Sequence, residues 1–274
     1  MKKRIALIAA LAAPVLGILA VLALPMSAQA HRAWLAPTAT VLSGTDAWVG
    51  FDAGMSNGVF IPDHAAMNLA GLVITAPDGS TAQAENMMRG RYRSTFDLHL
   101  TQPGTWKVAN VMSGIMATYT ENGEQKRWRG QAAEFPGALP AGVTDVVATR
   151  TSNRIETFVT LGAPTDTVFT NPADGLALIP VSHPNDLVAG EAATFKLSID
   201  GLPASGVEVT VARGGTRYRD NPEEMTVTTG ADGAFTVAWT EPGMYWLNAS
   251  VRTPAQGDAI ASNAQYVAVM EVLP

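Results

Sequence analysis

The sequence contains no cysteine, which removes thiolate nucleophiles, thiolate metal ligands and disulfides together. The fold must therefore be held by apolar packing, and any metal must be taken by histidine, carboxylate, thioether, backbone or amine donors. Basic residues are also few, 18 Lys and Arg against 24 Asp and Glu. An acidic chain without a basic stripe argues against nucleic acid as a partner, because phosphate neutralisation supplies most of that affinity. The one basic cluster, Lys126-Arg127-Trp128-Arg129, reads as a solvated strand edge. Sustained helical periodicity is missing as well. So are the Gly-x-Ser-x-Gly elbow, the His-Glu-x-x-His pair and the glycine-rich phosphate loops. Carboxylates such as Asp97, Glu156 and Asp220 are scattered, and the chain reads as a non-enzyme.

What is present begins with a leader pattern. Lys2, Lys3 and Arg4 precede an apolar run from Ile5 to Leu24, and Pro25 to Ala30 lead into an Ala28-Gln29-Ala30 triplet of the kind cut by signal peptidase. Residues 1–30 are expected to be a cleaved signal peptide, which places the protein in the periplasm. The apolar run is long enough that an uncut inner-membrane anchor is the alternative. Cleavage removes three of the basic residues and leaves the remainder more acidic. It also makes His31 the first residue, with an α-amine and an imidazole on one residue.

Beyond the leader the chain reads as strands. Ser94 to Leu100 and Gly206 to Val211 alternate apolar with polar residues, the period of a half-buried strand. Turn signals punctuate these runs: Pro77-Asp78-Gly79, Asn122-Gly123, Asp200-Gly201, Asp232-Gly233 and Pro242-Gly243. Such spacing predicts an all-β fold of antiparallel sandwiches. Gln131 to Thr151, with Pro136, Pro140 and several glycines, reads as a connecting loop with a helical turn or two. The order of strand, Pro-Gly turn and aromatic strand occurs twice, at Ser94 to Trp106 and at Phe235 to Trp246. It predicts two modules, residues 31–172 and 173–274. In the second, Phe235, Val237 and Trp239 share one face, and Tyr245, Leu247, Ala249 and Val251 share another.

Three segments carry a family resemblance: His31-Arg32-Ala33-Trp34-Leu35-Ala36-Pro37 directly after the leader, Leu178 to Pro184 before Leu187-Val188-Ala189-Gly190, and the C-terminal module from Leu202. Together they resemble an uncharacterised exported bacterial family commonly labelled a periplasmic component of nickel or cobalt uptake. The C-terminal module resembles Ig-like or transthyretin-like units. The resemblance spans residues 31–274 and implies metal handling by an accessory to a membrane transport partner. Its motifs are structural apart from the initial histidine.

Four histidines are the candidate ligands. A terminal His31 chelates through its amine and Nδ1, and a second imidazole completes the three-nitrogen arrangement called a histidine brace. That set suits copper and can accept nickel or cobalt. His99 lies with Thr95 and Asp97 on the polar face of its strand and is a candidate second ligand if the N-terminal strand crosses that face. His64 follows Pro62-Asp63 in a loop, with Asp63 as co-ligand or as the carboxylate that orients the imidazole. His183 precedes Pro184 and reads first as a contact between modules. Six methionines, Met55, Met67, Met87, Met88, Met112 and Met116, fall in the first module. Thioethers are soft ligands for Cu(I), but flexible core filling is the commoner use and the one expected here.

The function expected from these features is capture of a nickel, cobalt or copper ion in the periplasm for a membrane uptake partner. Two alternatives stand beside it: a structural or adhesive Ig-like scaffold, and a copper oxygenase built on the terminal histidine.

Overall fold

Alternating burial marks several of the strands, as the sequence predicts, while the end of the long Thr144–Leu161 strand is buried on both faces. Along Arg93–Leu100 every second side chain, from Ser94 to Leu100, is buried, because successive residues of a strand point to opposite faces. The computed structural model describes residues 31–274, so the leader and its cleavage lie outside the described residues.

In chain order the first strands are Arg32–Pro37 (β1), Val41–Leu42 (β2), Ala47–Ser56 (β3), Ala65–Ala66 (β4), Leu72–Thr75 (β5), Thr81–Ala82 (β6), Glu85–Arg89 (β7) and Arg93–Leu100 (β8). Three strands follow, two of them long: Gly104–Glu121 (β9), Glu124–Gly130 (β10) and Thr144–Leu161 (β11). The remainder are Leu176–Pro180 (β12), Ala192–Ile199 (β13), Leu202–Pro203 (β14), Glu208–Arg213 (β15), Met225–Thr228 (β16), Ala234–Ala238 (β17), Gly243–Thr253 (β18) and Ala261–Val272 (β19). Among the described residues the only helical pieces are single 3-10 turns at Ala132–Glu134 and Thr216–Tyr218. The protein is all-β, and most of its strand pairs are antiparallel.

Three sheets form. One has the order β1-β3-β8-β7, with β4 continuing the β8 edge of β3. The second runs β16-β15-β18-β19-β11-β9-β5-β6, with β10 added to β9 and β2 to β11. The third joins β12, β13 and β14, with β17 continuing the β14 edge of β13. In the second sheet Thr149–Thr157 of β11 lie parallel to Ala261–Val269 of β19. The expected division at residues 172 and 173 falls in the connection from β11 to β12, and this one sheet continues across it.

Among the described residues the buried apolar side chains gather in two large cores and a small third of Ile115, Ala117 and Ala148. The first gathers Trp34, Leu35, Phe51, Phe96, Leu98 and Trp106, with Trp246, Val267 and Val269 from the C-terminal half. The second packs Phe195, Phe235, Trp239, Tyr245, Leu247 and Tyr266. Burial of aromatic area at about 25 cal/mol per Å² is what holds a chain with no cross-links.

Two local expectations are corrected. Gln131 to Thr151 is not a loop throughout: Thr144 opens β11, whose pairing with β9 outweighs the prolines that precede it. Core filling also fails for several methionines. Met87, Met88 and Met116 are exposed, while Met67 is buried. Exposed methionine in a well-packed β protein calls for a reason other than packing.

Candidate functional site

The site is built at one end of β3. β1 and β4 flank that strand on opposite edges, with Ala33 and Ala65 both opposite Met55. His31 immediately precedes β1 and His64 immediately precedes β4, so both lie past the same end of β3. Two sheet spacings separate their strands, roughly 10 Å, and the side chains close that gap. The imidazoles stack with centroids 3.5 Å apart and planes 10° from parallel. Both residues are exposed.

The backbone on each side is fixed. Trp34 is buried, lies over Gly54 and donates from Nε1 to Ser56 Oγ at 2.7 Å. A Cβ at position 54 would stand 2.7 Å from Trp34 Cζ2, so glycine is what lets the ring lie there. Trp246 Nε1 donates to Ala33 O at 2.9 Å. The Arg32 guanidinium lies 5.1 Å from the Trp246 ring and pairs with Glu224. On the His64 side, Ser56 Oγ donates to Gly58 O at 2.6 Å, and Phe60 meets Trp34 edge-on at 5.9 Å.

Asp63 belongs to this scaffold. Its Oδ1 accepts from Asn57 N at 2.9 Å and its Oδ2 from Asn57 Nδ2 at 3.4 Å. It ties the two ends of the loop that presents His64, and both its oxygens are engaged in doing so.

His99 is not brought to this pair. It occupies the polar face of β8 as expected, but its partner on β3 is Trp48, eight residues from Ser56 and roughly 27 Å away along the strand. β1 lies beside β3 in the same sheet and does not cross the face that carries His99. The imidazole stacks on Trp48 at 4.4 Å, planes 4° from parallel, and its Nε2 pairs with Asp46.

His183 is engaged at both ring nitrogens. Nδ1 accepts from Asn185 N at 3.1 Å, which puts the neutral ring's proton on Nε2, 3.0 Å from Thr105 Oγ1 and 3.4 Å from Thr165 O. Burial pushes its pKa below the usual histidine value. Asn185 extends the network to Thr160 Oγ1 and Phe158 O, each at 2.9 Å. This histidine joins the two halves of the chain.

Among the described residues no three His, Asp or Glu side chains cluster about one point. Two imidazoles and an α-amine would make a three-nitrogen set without a carboxylate. The stacked rings need one rotation to do so: lone pairs in nearly parallel rings with centroids 3.5 Å apart do not converge, and one exposed side chain must swing to share an ion.

A buried polar group went unread in the sequence. Glu156 is buried, accepting from Tyr266 Oη at 3.0 Å and from Arg154 Nη1 at 3.3 Å. Burial, then the Glu156 charge, pushes the Tyr266 hydroxyl well above its ordinary value. The Arg154-x-Glu156 spacing was the available signal, since residues two apart share a strand face. The partner tyrosine, 110 positions away, was not visible.

These features define an all-β protein with a histidine pair at the end of one sheet. Residues 28–253 match the profile of DUF4198, a domain of unknown function, and the chain belongs to that family. No curated protein matches. Among solved structures the chain is similar to the D0-D1 domain of intimin, at 14% identity over 88% of this chain and 97% of that one, TM-score 0.22. It is also similar to a DUF4785 family protein from Legionella pneumophila, at 8% identity over 78% and 50% of the two chains, TM-score 0.24. The ICAM-5 D1–D4 ectodomain fragment follows at 11% identity over 88% and 51%, TM-score 0.21. Scores of this size carry no functional argument.

Proposed function

We propose that the protein is an exported transition-metal-binding accessory that captures a nickel, cobalt or copper ion in the periplasm and passes it to a membrane uptake partner. The observation that carries the reading is the stacking of His31 on His64. Two exposed imidazoles meet across an intervening strand, and one belongs to the residue that cleavage after Ala30 would make the N-terminus. In the cleaved protein the ion is held by the His31 amine and Nδ1 with one nitrogen of His64. Asp63 orients the loop, and the Trp34 and Trp246 contacts hold β1. Met55 extends the set toward copper: it is paired with Ala33 and Ala65, the residues that follow the two histidines, and its thioether is a soft donor at partial exposure.

The test combines mass spectrometry of the exported protein's N-terminus with equilibrium dialysis against nickel, cobalt and copper. A first residue of His31 and about one tightly bound ion, lost in His31→Ala and in His64→Ala, is the expected result. An intact leader or unchanged binding in both variants overturns it. Unchanged melting temperature on adding each metal would favour the scaffold alternative, since a ligand that binds only the folded state must raise stability.

A further inference from the structure

Three methionines line one open cavity that shares no residue with the histidine pair. Its volume is about 310 Å³, and its walls include Met67, Met87, Met88, Arg89 and Ser94. The pairing of β7 with β8 explains why two consecutive methionines face it. Glu85 lies opposite Asp97 and Met88 opposite Thr95, so three steps along β7 span two along β8. The extra residue is a bulge, marked by Asn86 at φ 51° with its Nδ2 donating to Asp97 Oδ2 at 2.8 Å. A bulge breaks the alternation of faces and re-aims side chains.

Packing does not account for these residues. Met87 and Met88 are 54% and 69% exposed, leaving in water apolar area whose burial is worth about 25 cal/mol per Å². The third methionine is fixed: Met67 is buried, its N donates to Ala53 O at 3.4 Å, and its carbonyl accepts from Ser94 Oγ at 2.7 Å. Met67, packed in the first core and held by its backbone, thus borders the cavity beside two methionines on an exposed edge strand, whose unbranched side chains can close on an ion.

The donor set fixes the class of ligand. No carboxylate, imidazole or thiolate lines the cavity, and the side-chain oxygens that do, Asn68 Oδ1 and Ser94 Oγ, are engaged with Ala70 N and Met67 O, so hard divalent ions find no charged donor. Arg89 adds a positive charge, and Coulomb repulsion from it is twice as large for a divalent as for a monovalent ion. We infer that Met67, Met87 and Met88 form a thioether site for a monovalent soft cation, Cu(I). This site stands independently of the histidine reading, since it shares no residue with it and needs no cleavage.

The probe is Ag(I), a redox-inert substitute, titrated into the purified protein carrying ¹³C-methyl methionine. One ion should bind, and the Met67, Met87 and Met88 methyl resonances should shift together. Binding should be the same at pH 7 and pH 5, because a thioether has no proton to lose. The Met87→Leu/Met88→Leu variant keeps the side-chain volume and should bind at least tenfold more weakly with its melting temperature unchanged. A Met67→Leu variant gives a second measure of the loss. His31→Ala should bind Ag(I) as the parent does, so this site and the histidine pair fail separately. No binding, equal binding in the double variant, unshifted methyl resonances, or a loss confined to His31→Ala each overturns the inference.

Discussion

The imidazole centroids of His31 and His64 lie 3.5 Å apart although 33 positions and an entire loop separate the two residues. The contact follows from register. β1 and β4 each pair antiparallel with β3 and start past the same end of it, so the residues just before them meet.

Replacing either imidazole should remove the ion. Loss of an outer partner of a metal ligand already costs ten- to a hundredfold in affinity, so His64→Ala should weaken nickel, cobalt or copper binding by about a hundredfold or more. His99→Ala, at the far end of β3, should leave it unchanged. Isothermal titration of the cleaved protein reads both. An equal loss in His99→Ala would mean that the ion sits elsewhere. Binding should also weaken below about pH 8, where an α-amine ordinarily takes up its proton.

Gly54→Ala tests how β1 is held. The new methyl would press on Trp34 Cζ2 at 2.7 Å, and overpacking of this kind costs about 1–3 kcal/mol. Urea denaturation should show that loss, and metal affinity should fall with it as β1 shifts His31 from His64. Parental stability in this variant would show that the ring can move aside freely.

Much of the fold was legible because its signals are local. Asn122 and Gly123 both have positive φ, 53° and 82°, as the two-residue turn between β9 and β10 requires. The Lys126 to Arg129 cluster does lie on an edge strand. Burial along β17 and β18 follows the faces assigned to Phe235, Val237, Tyr245, Leu247 and Ala249. The parallel pairing of β11 with β19 was not legible, since the partner is more than a hundred positions away and tertiary packing selects it. The same limit applied to the site. His99 was given its correct face, but which end of the sheet it occupies depends on register, and alternation carries no register.

The acid side of the stability profile should depend on His183. Burial lowers its folded pKa, so the folded state keeps the ring neutral while the unfolded chain takes up a proton near pH 6.5. Stability rises with pH wherever the unfolded state holds more protons. The contribution is therefore intact above about pH 6.5 and is lost as pH falls toward the lowered folded value. His183→Gln should be less stable at pH 8, where the hydrogen bonds to Thr105 and Asn185 are missing, and should lose less on moving to pH 5. Urea midpoints at the two values measure this; an unchanged acid slope would assign the effect to other groups.

Tyr266 governs the alkaline side and shows why Glu156 can be buried. Its pKa is raised by burial first and by the Glu156 charge second, so the hydroxyl stays protonated in the fold after the unfolded chain's tyrosines ionise near pH 10. Above that value the unfolded state holds fewer protons, and stability falls as pH climbs toward the raised folded value. Tyr266→Phe removes this term, so its stability should decline less between pH 9 and pH 11 than that of the parent. At neutral pH the same variant should lose about 1–3 kcal/mol, because Glu156 Oε2 is left buried without the donor now 3.0 Å away. Adding Glu156→Gln to it should not restore the loss in full, since Arg154 Nη1 would then face an uncharged partner. A Tyr266→Phe protein as stable as the parent at neutral pH would mean that the carboxylate finds another donor when β11 and β19 relax.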